Sequence, residues 1–554
     1  MQSLIEHFLR HLPDGAGAEL RELLAGVESG SDSALRALEE NFYRDHFALW
    51  RSMTEPGAAS VQLHPDPRFS APAWRELPYF RYLHQSYLLN ARFVAERVAL
   101  GQLDPARKRR LEFLVRQFLD ALSPANVAAT NPEVIRLATQ TGGESLARGM
   151  KLLAADMARG RITLTDENAF EVGRDLASTP GAVVLENDVM QLIQYSATTA
   201  RVFKRPLLIV PPFINKYYVL DLQPENSFVR YCTQQGFTTF VVSWRNVPEE
   251  LGTLTWNDYV EKGVHLPIHA ARTIAGADKI NVLGFCVGGT LLATALAKAA
   301  KSTPEPVASL TLLATLLDFS DTGEIGVYVD RTFVEKAERE FQHGGLMPGS
   351  RLAATFATLR ANDLIWKPVI DAYLKGQSPR AFDLLYWNAD SSNVPGRLYA
   401  FYLRNMYLEN KLKMTDQIVL DNVALDPGAI KLPSYLFAAK DDHIVPWRSA
   451  FQSVALLGPP STFVLGSSGH VAGVVSPPSS KARHFWSDAV QQNTPEIWLK
   501  TALRREGSWW AHWANWLTSW AGPKTKAPVA LGHPEFPHVE VAPGRYVRVR
   551  NEGK

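Results

Sequence analysis

The most constraining feature of this chain is a short apolar run that passes through a glycine-bounded cysteine into a helix-forming segment. Residues 279–283 (KINVL) have the apolar, β-branched composition of a buried strand, and residues 291–297 (LLATALA) favour a helix. Between them lies Gly-Phe-Cys-Val-Gly, with Cys286 at its centre. Glycines on both sides allow neighbouring backbone to pass close to a residue held in a strained turn. The run therefore predicts a strand, a sharp turn and a helix.

In an α/β-hydrolase this turn is the nucleophile elbow Gly-x-Ser-x-Gly, and here Cys286 stands in place of the serine. The helix after the elbow would direct its N-terminus at the sulfur, where its partial positive charge favours a thiolate. A buried structural cysteine on a core turn is the alternative, and the motif alone does not separate the two interpretations. Partner residues elsewhere in the chain have to decide between them.

Two downstream loops supply an acid and a histidine in the order that this fold uses. Asp442 follows the strand-like run 436–440, and His470, which stands in the glycine-bounded run Gly-His-Val-Ala-Gly, follows the run 462–465. Each loop leaves the carboxyl end of a predicted strand, the edge at which open α/β sheets hold their sites. The sequence therefore predicts a triad of Cys286, Asp442 and His470.

Alternatives to these assignments stay open at the level of the sequence. Asp441 is a second acid beside the first, and the adjacent His443 complicates the assignment. An arbitrary histidine among the 14 in the chain is more often a surface or hydrogen-bonded residue than a base. The second cysteine, Cys232, lies among apolar residues and is expected to be a small buried side chain on a helix.

The tetrahedral oxyanion of acyl transfer needs backbone N–H donors at the same edge of the sheet. One donor is expected to be Val287, the residue after the nucleophile, and the other is expected from the loop after an early strand. The run 207–210 is that strand, and residues 211–215, here called the oxyanion loop, follow it. Because the two prolines that open this loop have no N–H, Ile214 or Asn215 is the expected donor.

Eleven short motifs, spread over most of the chain, carry a resemblance to a known family. They are residues 85–89 (QSYLL), 130–133 (TNPE), 211–222 (PPFINKYYVLDL), 242–246 (VSWRN), 284–290 (GFCVGGT), 318–323 (DFSDTG), 382–388 (FDLLYWN), 403–410 (LRNMYLEN), 442–447 (DHIVPW), 469–473 (GHVAG) and 543–547 (PGRYV). Together they resemble the bacterial polyhydroxyalkanoate synthases, which belong to the α/β-hydrolase superfamily.

This resemblance implies an acyltransferase that polymerises (R)-3-hydroxyacyl-CoA into a polyester and releases CoA. Cys286 would hold the growing chain as a thioester, His470 would activate the sulfur, and Asp442 would be the third catalytic residue, with a further role in activating the 3-hydroxyl of the incoming monomer. Exchange of one thioester for another is nearly isoenergetic, so a cysteine keeps the acyl group activated for the next transfer. No cofactor and no metal are implied.

Two features favour the class I synthases, which accept short-chain monomers. Ala472 stands two residues after the histidine of the triad, where medium-chain enzymes usually carry a glutamine, and residues 404–410 are also class I in style. Types that need a separate second subunit have much shorter chains. Two other functions remain as alternatives, namely a thioesterase or lipase-like hydrolase that uses water as acceptor, and a granule-bound structural protein without turnover.

The expected organisation is an all-helical N-terminal domain, residues 1–170, followed by an α/β-hydrolase catalytic domain, residues 171–554. The run 110–119 is amphipathic with a helical period, whereas strands and helices alternate from about residue 171 onward. The alternation lapses at about 318–430, where α/β-hydrolases commonly insert a cap. A cap would exclude water, the competing acceptor, from the thioester.

Three residues are candidates for a substrate channel. They are His443 beside the acid, Trp387 in the expected cap, and Ala472 beside the histidine. For Trp387 a place in the apolar core of the cap is an equally good interpretation.

Composition agrees with this interpretation but does not produce it. A chain of 554 residues with 46% apolar content can bury a large core, and its net charge of +2 gives no signal for nucleic acid or membrane. Two cysteines favour a reducing compartment. No run approaches the roughly 20 apolar residues of a membrane span, and Met1–Arg10 lacks a signal-peptide core. The resemblance implies a cytoplasmic homodimer on polyhydroxyalkanoate granules, with phasin-like partners.

Overall fold

A computed structural model of the chain resolves two compact units. The residues described are 32–55, 65–301, 306–480, 482–488 and 494–550. The first unit comprises the chain up to Leu164 together with residues 356–380, and the second comprises residues 165–355 and 381–554. Residues 356–380 thus cluster with the first unit although they lie inside the segment expected as a cap. The stretch Met1–Arg10, for which no signal-peptide core is expected, lies outside the described residues.

The described part of the first unit is helical. Its helices before residue 164 are Asp32–Thr54, Ala73–Glu76, Pro78–Leu100, Pro105–Ala121, Pro132–Gln140 and Glu144–Arg159. Two of them start in the same way, because Asp104 and Asn131 accept hydrogen bonds from first-turn N–H groups and a proline follows each of them. The later segment adds helical turns at Asn362–Trp366 and Val369–Leu374.

Contacts within the first unit explain why residues 356–380 belong to it. The Tyr373 hydroxyl donates to Asp156 Oδ2 at 2.7 Å, and Lys375 pairs with Glu133 at 3.1 Å. Gly149 lies against the Tyr373 carbonyl so closely that a Cβ at this position would collide with it. These contacts join residues more than two hundred positions apart, which no local pattern in the sequence encodes.

The second unit is built on strands. They are β1 (Gly181–Glu186), β2 (Met190–Tyr195), β3 (Arg201–Phe203), β4 (Leu207–Val210), β5 (Thr239–Trp244), β6 (Ile280–Phe285), β7 (Val307–Leu313), β8 (Leu346–Met347), β9 (Val394–Pro395), β10 (Val419–Leu420), β11 (Val423–Ala424), β12 (Ser434–Ala439), β13 (Ser461–Gly466), β14 (His484–Ser487), β15 (Leu503–Glu506), β16 (Lys524–Lys526) and β17 (Glu540–Val541).

Within the described residues, eleven of these strands form one mixed sheet in the order β15-β14-β13-β12-β7-β6-β4-β5-β2-β1-β17. The central strands β13, β12, β7, β6, β4 and β5 are parallel. The strands on either side pair antiparallel, including β1 with β2. Because parallel strands direct their carboxyl ends to one edge, the loops after β4, β6, β12 and β13 lie at the same edge.

The second unit also contains helices, which alternate with the strands along the chain or belong to the segment between β7 and β12. They are Phe228–Gln234, Trp256–Val260, Leu266–Ala275, Val287–Ala299, Arg331–Phe341, Gly349–Leu359 (which runs on into the first unit), Asp383–Asn388, Gly396–Tyr402, Trp447–Leu457, His470–Val474, Pro495–Thr501 and Trp509–Thr518. The last of these packs three buried tryptophans, Trp509, Trp510 and Trp513, around Phe228 in the core. These rings place the helix in the core of the second unit.

The chain between β7 and β12, residues 314–433, adds no strand to the large sheet in the described structure. It holds helices and the short strand pairs β8–β9 and β10–β11. A parallel central sheet with helical connections and an insertion before β12 is the α/β-hydrolase architecture that the sequence predicts. Among the helices of the described ranges, none has both the length and the apolar character needed to cross a bilayer.

Candidate active site

Cys286 occupies the turn between β6 and the helix Val287–Ala299, with φ 54° and ψ −129°. A positive φ is strained for a residue with a side chain, so the surrounding structure must hold it in place. The Cys286 N–H donates to the Leu313 carbonyl at 2.9 Å, and the Cys286 carbonyl accepts from the Gly289 and Thr290 N–H groups. The sulfur-bearing residue is partly exposed, whereas Cys232 is buried on its helix as expected.

Close backbone contacts explain the glycines of the elbow. A Cβ on Gly284 would collide with the backbone of Gly289, and a Cβ on Gly288 would collide with the carbonyls of Val210 and Pro211. The second contact brings the first turn of the helix directly against the start of the oxyanion loop.

Replacing Gly288 by alanine is expected to force these two backbones apart, because overpacking against fixed backbone destabilises by about 1–3 kcal/mol or more. We expect a lower melting temperature and a loss of turnover. Gly469 provides the control, since a Cβ there would meet only the Asp441 carbonyl at 3.6 Å. Thermal unfolding and CoA release of both variants check this, and equal tolerance at the two positions would contradict it.

His470 and Asp442 meet at the carboxyl edge of the sheet. His470 Nδ1 lies 2.6 Å from Asp442 Oδ2, and both residues are buried. The other oxygen of this carboxylate, Oδ1, accepts from the Ile444 and Val445 N–H groups, each at 2.9 Å. The carboxylate is therefore fixed by its own loop and fixes the imidazole in turn. The alternative acid, Asp441, is exposed.

The charges around His470 favour its protonated form. Burial lowers the pKa of His470, but the charges of Asp442 and Cys286, with hydrogen bonds to both, raise it well above its usual value. Phe285, the residue before the nucleophile, stacks on the imidazole with ring centroids 5.5 Å apart. The three side chains that the sequence singles out therefore interact within one site.

The oxyanion loop is held from two sides. The Trp244 indole N–H donates to the Pro211 carbonyl at 2.8 Å. The Ile214 carbonyl accepts from the Ser392 N–H at 2.9 Å, and Asn215 pairs with Ser391 in an antiparallel bridge. Val287, the other expected donor, opens the helix after Cys286, where first-turn N–H groups have no partner within the helix.

Comparison with known proteins identifies the family. The family described as poly-beta-hydroxybutyrate polymerase (PhaC) N-terminus matches residues 65–232, and the family described as alpha/beta hydrolase fold matches residues 205–477. The poly(3-hydroxyalkanoate) polymerase subunit PhaC of Cupriavidus necator is 46% identical over 535 residues, which cover 96% of this chain and 90% of the relative. The chain belongs to the poly(3-hydroxyalkanoate) polymerase family. It is therefore an enzyme that acts as a transferase.

Other members of this polymerase family match over similar lengths. Subunit PhaC of Rhizobium etli is 40% identical over 91% of this chain and 81% of its own, and polymerase 1 of Ectopseudomonas oleovorans is 34% identical over 96% of both chains. Among solved structures, a thermophilic esterase from Thermogutta terrifontis is 15% identical and covers 53% of this chain and 91% of its own. Its TM-score of 0.28 is too low to support an inference.

The three channel candidates of this polymerase-family chain lie in different surroundings. Trp387 is buried and its indole N–H donates to the Lys216 carbonyl at 2.7 Å, which fits a core side chain. His443 is partly buried, and its carbonyl accepts from the Glu324 N–H. Ala472 is partly buried on the short helix that begins at His470. A role in a channel stays a prediction for each of them.

Two tyrosines beside the nucleophile escaped prediction from the sequence. Burial raises the pKa of Tyr402 and of Tyr407, and the charge of Cys286 raises both further. Phe319 packs edge-on against both rings. All three belong to the insertion, and its two tyrosines lie near enough to Cys286 to interact with it electrostatically. Their sequence does not distinguish them from ordinary core aromatics.

Proposed function

We propose that this enzyme polymerises short-chain (R)-3-hydroxyacyl-CoA into polyhydroxyalkanoate and releases CoA, with Cys286 as the residue that carries the acyl chain. The observation that carries the proposal is a cysteine in a strained elbow whose charge interacts with a buried His470–Asp442 pair. The names of the polymerase relatives support the reaction, and the thiol chemistry supports the covalent intermediate.

Acyl loading exchanges one thioester for another. The Cys286 sulfur attacks the carbonyl carbon of the acyl-CoA, and His470 holds the proton of the thiol. The oxyanion that forms accepts hydrogen bonds from the Val287 N–H and from the N–H of Ile214 or Asn215. The bond between the carbonyl carbon and the CoA sulfur then breaks, and the CoA thiolate takes the proton from His470.

Chain growth uses a hydroxyl group as the acceptor. The 3-hydroxyl oxygen of a hydroxyacyl group attacks the thioester on Cys286, an ester bond forms as the carbon–sulfur bond breaks, and the hydroxyl proton passes to His470. Asp442 holds the imidazole in the orientation that both steps need. In this proposal Asp442 also helps to activate the hydroxyl, as the family resemblance implies.

Selection of a hydroxyacyl group over water follows from the surroundings of the sulfur. Tyr402 and Tyr407 of the insertion interact electrostatically with Cys286, and Phe319 packs against both of their rings. An apolar cap of this kind excludes water from a reactive acyl group.

Incubation with (R)-3-hydroxybutyryl-CoA distinguishes the polymerase from its alternatives. Release of CoA together with insoluble polyester supports the proposal. Release of CoA with only free 3-hydroxybutyrate would support a hydrolase instead. Absence of CoA release would leave only a structural role and would contradict the proposal.

The preference for short-chain monomers is expected to depend on Ala472. Replacing it by glutamine, the residue usual in medium-chain enzymes, is expected to raise the kcat/KM ratio of 3-hydroxydecanoyl-CoA over 3-hydroxybutyryl-CoA. Because small pocket changes are worth about 1–3 kcal/mol, a shift of about tenfold or more is expected. Ala472→Ser is the control with little added volume. An unchanged ratio in the glutamine variant would argue against a role in monomer selection.

A location on cytoplasmic polyhydroxyalkanoate granules forms part of the proposal. Tyr43, Phe47 and Trp50 follow one face of the helix Asp32–Thr54 and are 70%, 60% and 53% exposed. An exposed aromatic stripe of this kind favours contact with an apolar surface such as a polyester granule. The homodimer and the phasin-like partners rest on the family resemblance alone.

A further inference from the structure

The residue after the oxyanion loop is a buried lysine with partners from two distant parts of the chain. Lys216 is 2% exposed, and its Nζ donates to the Val549 carbonyl at 2.7 Å. Its own carbonyl accepts from the Trp387 indole N–H at 2.7 Å. The side chain of Lys216 therefore ties the loop to the C-terminal segment, and its main chain ties the loop to the insertion.

The two preceding residues contact the same part of the insertion. The carbonyl of Ile214 accepts from the Ser392 N–H, and Asn215 forms its bridge with Ser391. Three consecutive residues, 214–216, thus lie along the segment 387–392. The lysine ammonium adds an anchor from outside this segment, at Val549.

Burying the charged amine of Lys216 costs desolvation free energy, which its partners have to offset. Burial lowers the pKa of the Lys216 amine, and the nearby Asp390 carboxylate opposes this effect. Asp390 is itself buried, and its Oδ2 accepts from the Tyr218 hydroxyl at 2.9 Å. An apolar side chain of similar length would fill the same space without the desolvation penalty of a buried charge. Unlike such a side chain, the ammonium holds a fixed partner, the Val549 carbonyl.

We propose that Lys216 is a positioning residue for the oxyanion donors. By binding the Val549 carbonyl it fixes the backbone of Ile214 and Asn215, so that their N–H groups meet the oxyanion of the acyl group on Cys286. This inference rests on the proposed function, in which the loop supplies one of the two donors. Lys216 acts through the backbone of Ile214 and Asn215 and does not touch the substrate. Because its partner is the Val549 carbonyl, the C-terminal segment helps to position the oxyanion donors.

Two rates measured on the full-length enzyme separate positioning from general structural damage. The first is the release of CoA in a single turnover with (R)-3-hydroxybutyryl-CoA, which passes through an oxyanion. The second is alkylation of Cys286 by iodoacetamide, in which the sulfur displaces iodide from a saturated carbon and no oxyanion forms. Loss of oxyanion donors therefore slows the first reaction and leaves the second unchanged.

In Lys216→Met we expect CoA release to slow about 100-fold, which is the size of effect that a small misplacement of reacting groups produces. The rate of alkylation of Cys286 is expected to be unchanged. Lys216→Arg, which keeps a charged donor, is expected to recover part of the rate. Lys298→Met is the matched control. Lys298 is a buried lysine of the same unit, bound to Asn257, Glu261 and Asp421 at the far end of the helix that follows Cys286. Its loss is expected to lower the melting temperature without a selective loss of CoA release.

Three results would overturn the inference. They are an unchanged rate of CoA release in Lys216→Met, an equal fall of both rates, and the same selective loss in Lys298→Met. Cys286→Ala tests the proposed function separately from the lysine variants. Because this variant has no sulfur at position 286 to alkylate, its only readout is CoA release. Continued CoA release in that variant would refute the role of Cys286 whatever the lysine variants do.

Discussion

Replacing Cys286 by alanine is expected to abolish CoA release from (R)-3-hydroxybutyryl-CoA, with a loss in kcat of at least about 10⁴-fold, as when other catalytic nucleophiles are removed. The reason is that the acyl chain then has no sulfur on which to be held. Alanine is smaller than cysteine and fits the strained turn as well as cysteine does, so the fold is expected to persist. The measurement is CoA release under saturating substrate, together with thermal unfolding.

Cys232 provides the control within the same chain. This cysteine is buried beneath the sheet, among the core residues that surround Phe228 and Trp513. Cys232→Ala is therefore expected to affect stability slightly and to leave turnover in place. Turnover that persists in Cys286→Ala, or that disappears equally in both variants, would remove Cys286 from the mechanism.

Replacing Asp442 by asparagine is expected to lower kcat about 10⁴-fold, the size of effect seen when an aspartate that orients a catalytic histidine becomes an amide. An asparagine oxygen can still accept from the Ile444 and Val445 N–H groups, so the loop is expected to keep its shape. Its amide cannot stabilise a charged His470. Asp441→Asn is the matched control, since Asp441 is the exposed neighbour and is expected to retain activity. Equal losses in the two variants would contradict the assignment of the acid.

The same variant has a pH-dependent effect on stability. A histidine whose folded-state pKa is raised stabilises the fold fully below its unfolded-state pKa of about 6.5, and this contribution is lost as pH rises through the folded-state value. The charges of Asp442 and Cys286 raise the pKa of His470 against the effect of burial. The difference in melting temperature between wild type and Asp442→Asn is therefore expected to be larger at about pH 6 than at about pH 10. A difference that grows with pH would contradict this.

The sequence predicts the elements that position the site because their signals are local. The strand before Cys286, the helix after it, and the strands that end before Asp442 and His470 are short apolar runs with distinct boundaries. Parallel strands in one sheet then bring their carboxyl ends together, so the order of the motifs along the chain predicts the shared edge.

Other features depend on contacts that no local pattern contains. The bond between Lys216 and Val549 joins residues 333 positions apart, and a single lysine in an apolar run gives no sign of a partner near the C-terminus. In the sequence Tyr402 and Tyr407 cannot be distinguished from core aromatic residues. Only the folded structure shows that both interact with Cys286. The edge strands β14, β15 and β17 are short and partly polar, so their sequences carry little strand signal.

The most direct test of the account is to trap the acyl group on the enzyme. Butyryl-CoA lacks the 3-hydroxyl that chain growth requires, so it can load the enzyme but cannot extend a chain. After a rapid acid quench, peptide mass spectrometry is expected to find one butyryl group on the peptide that contains Cys286, and none in the Cys286→Ala variant. CoA release without a label on Cys286, or a butyryl group on another residue, would contradict the account.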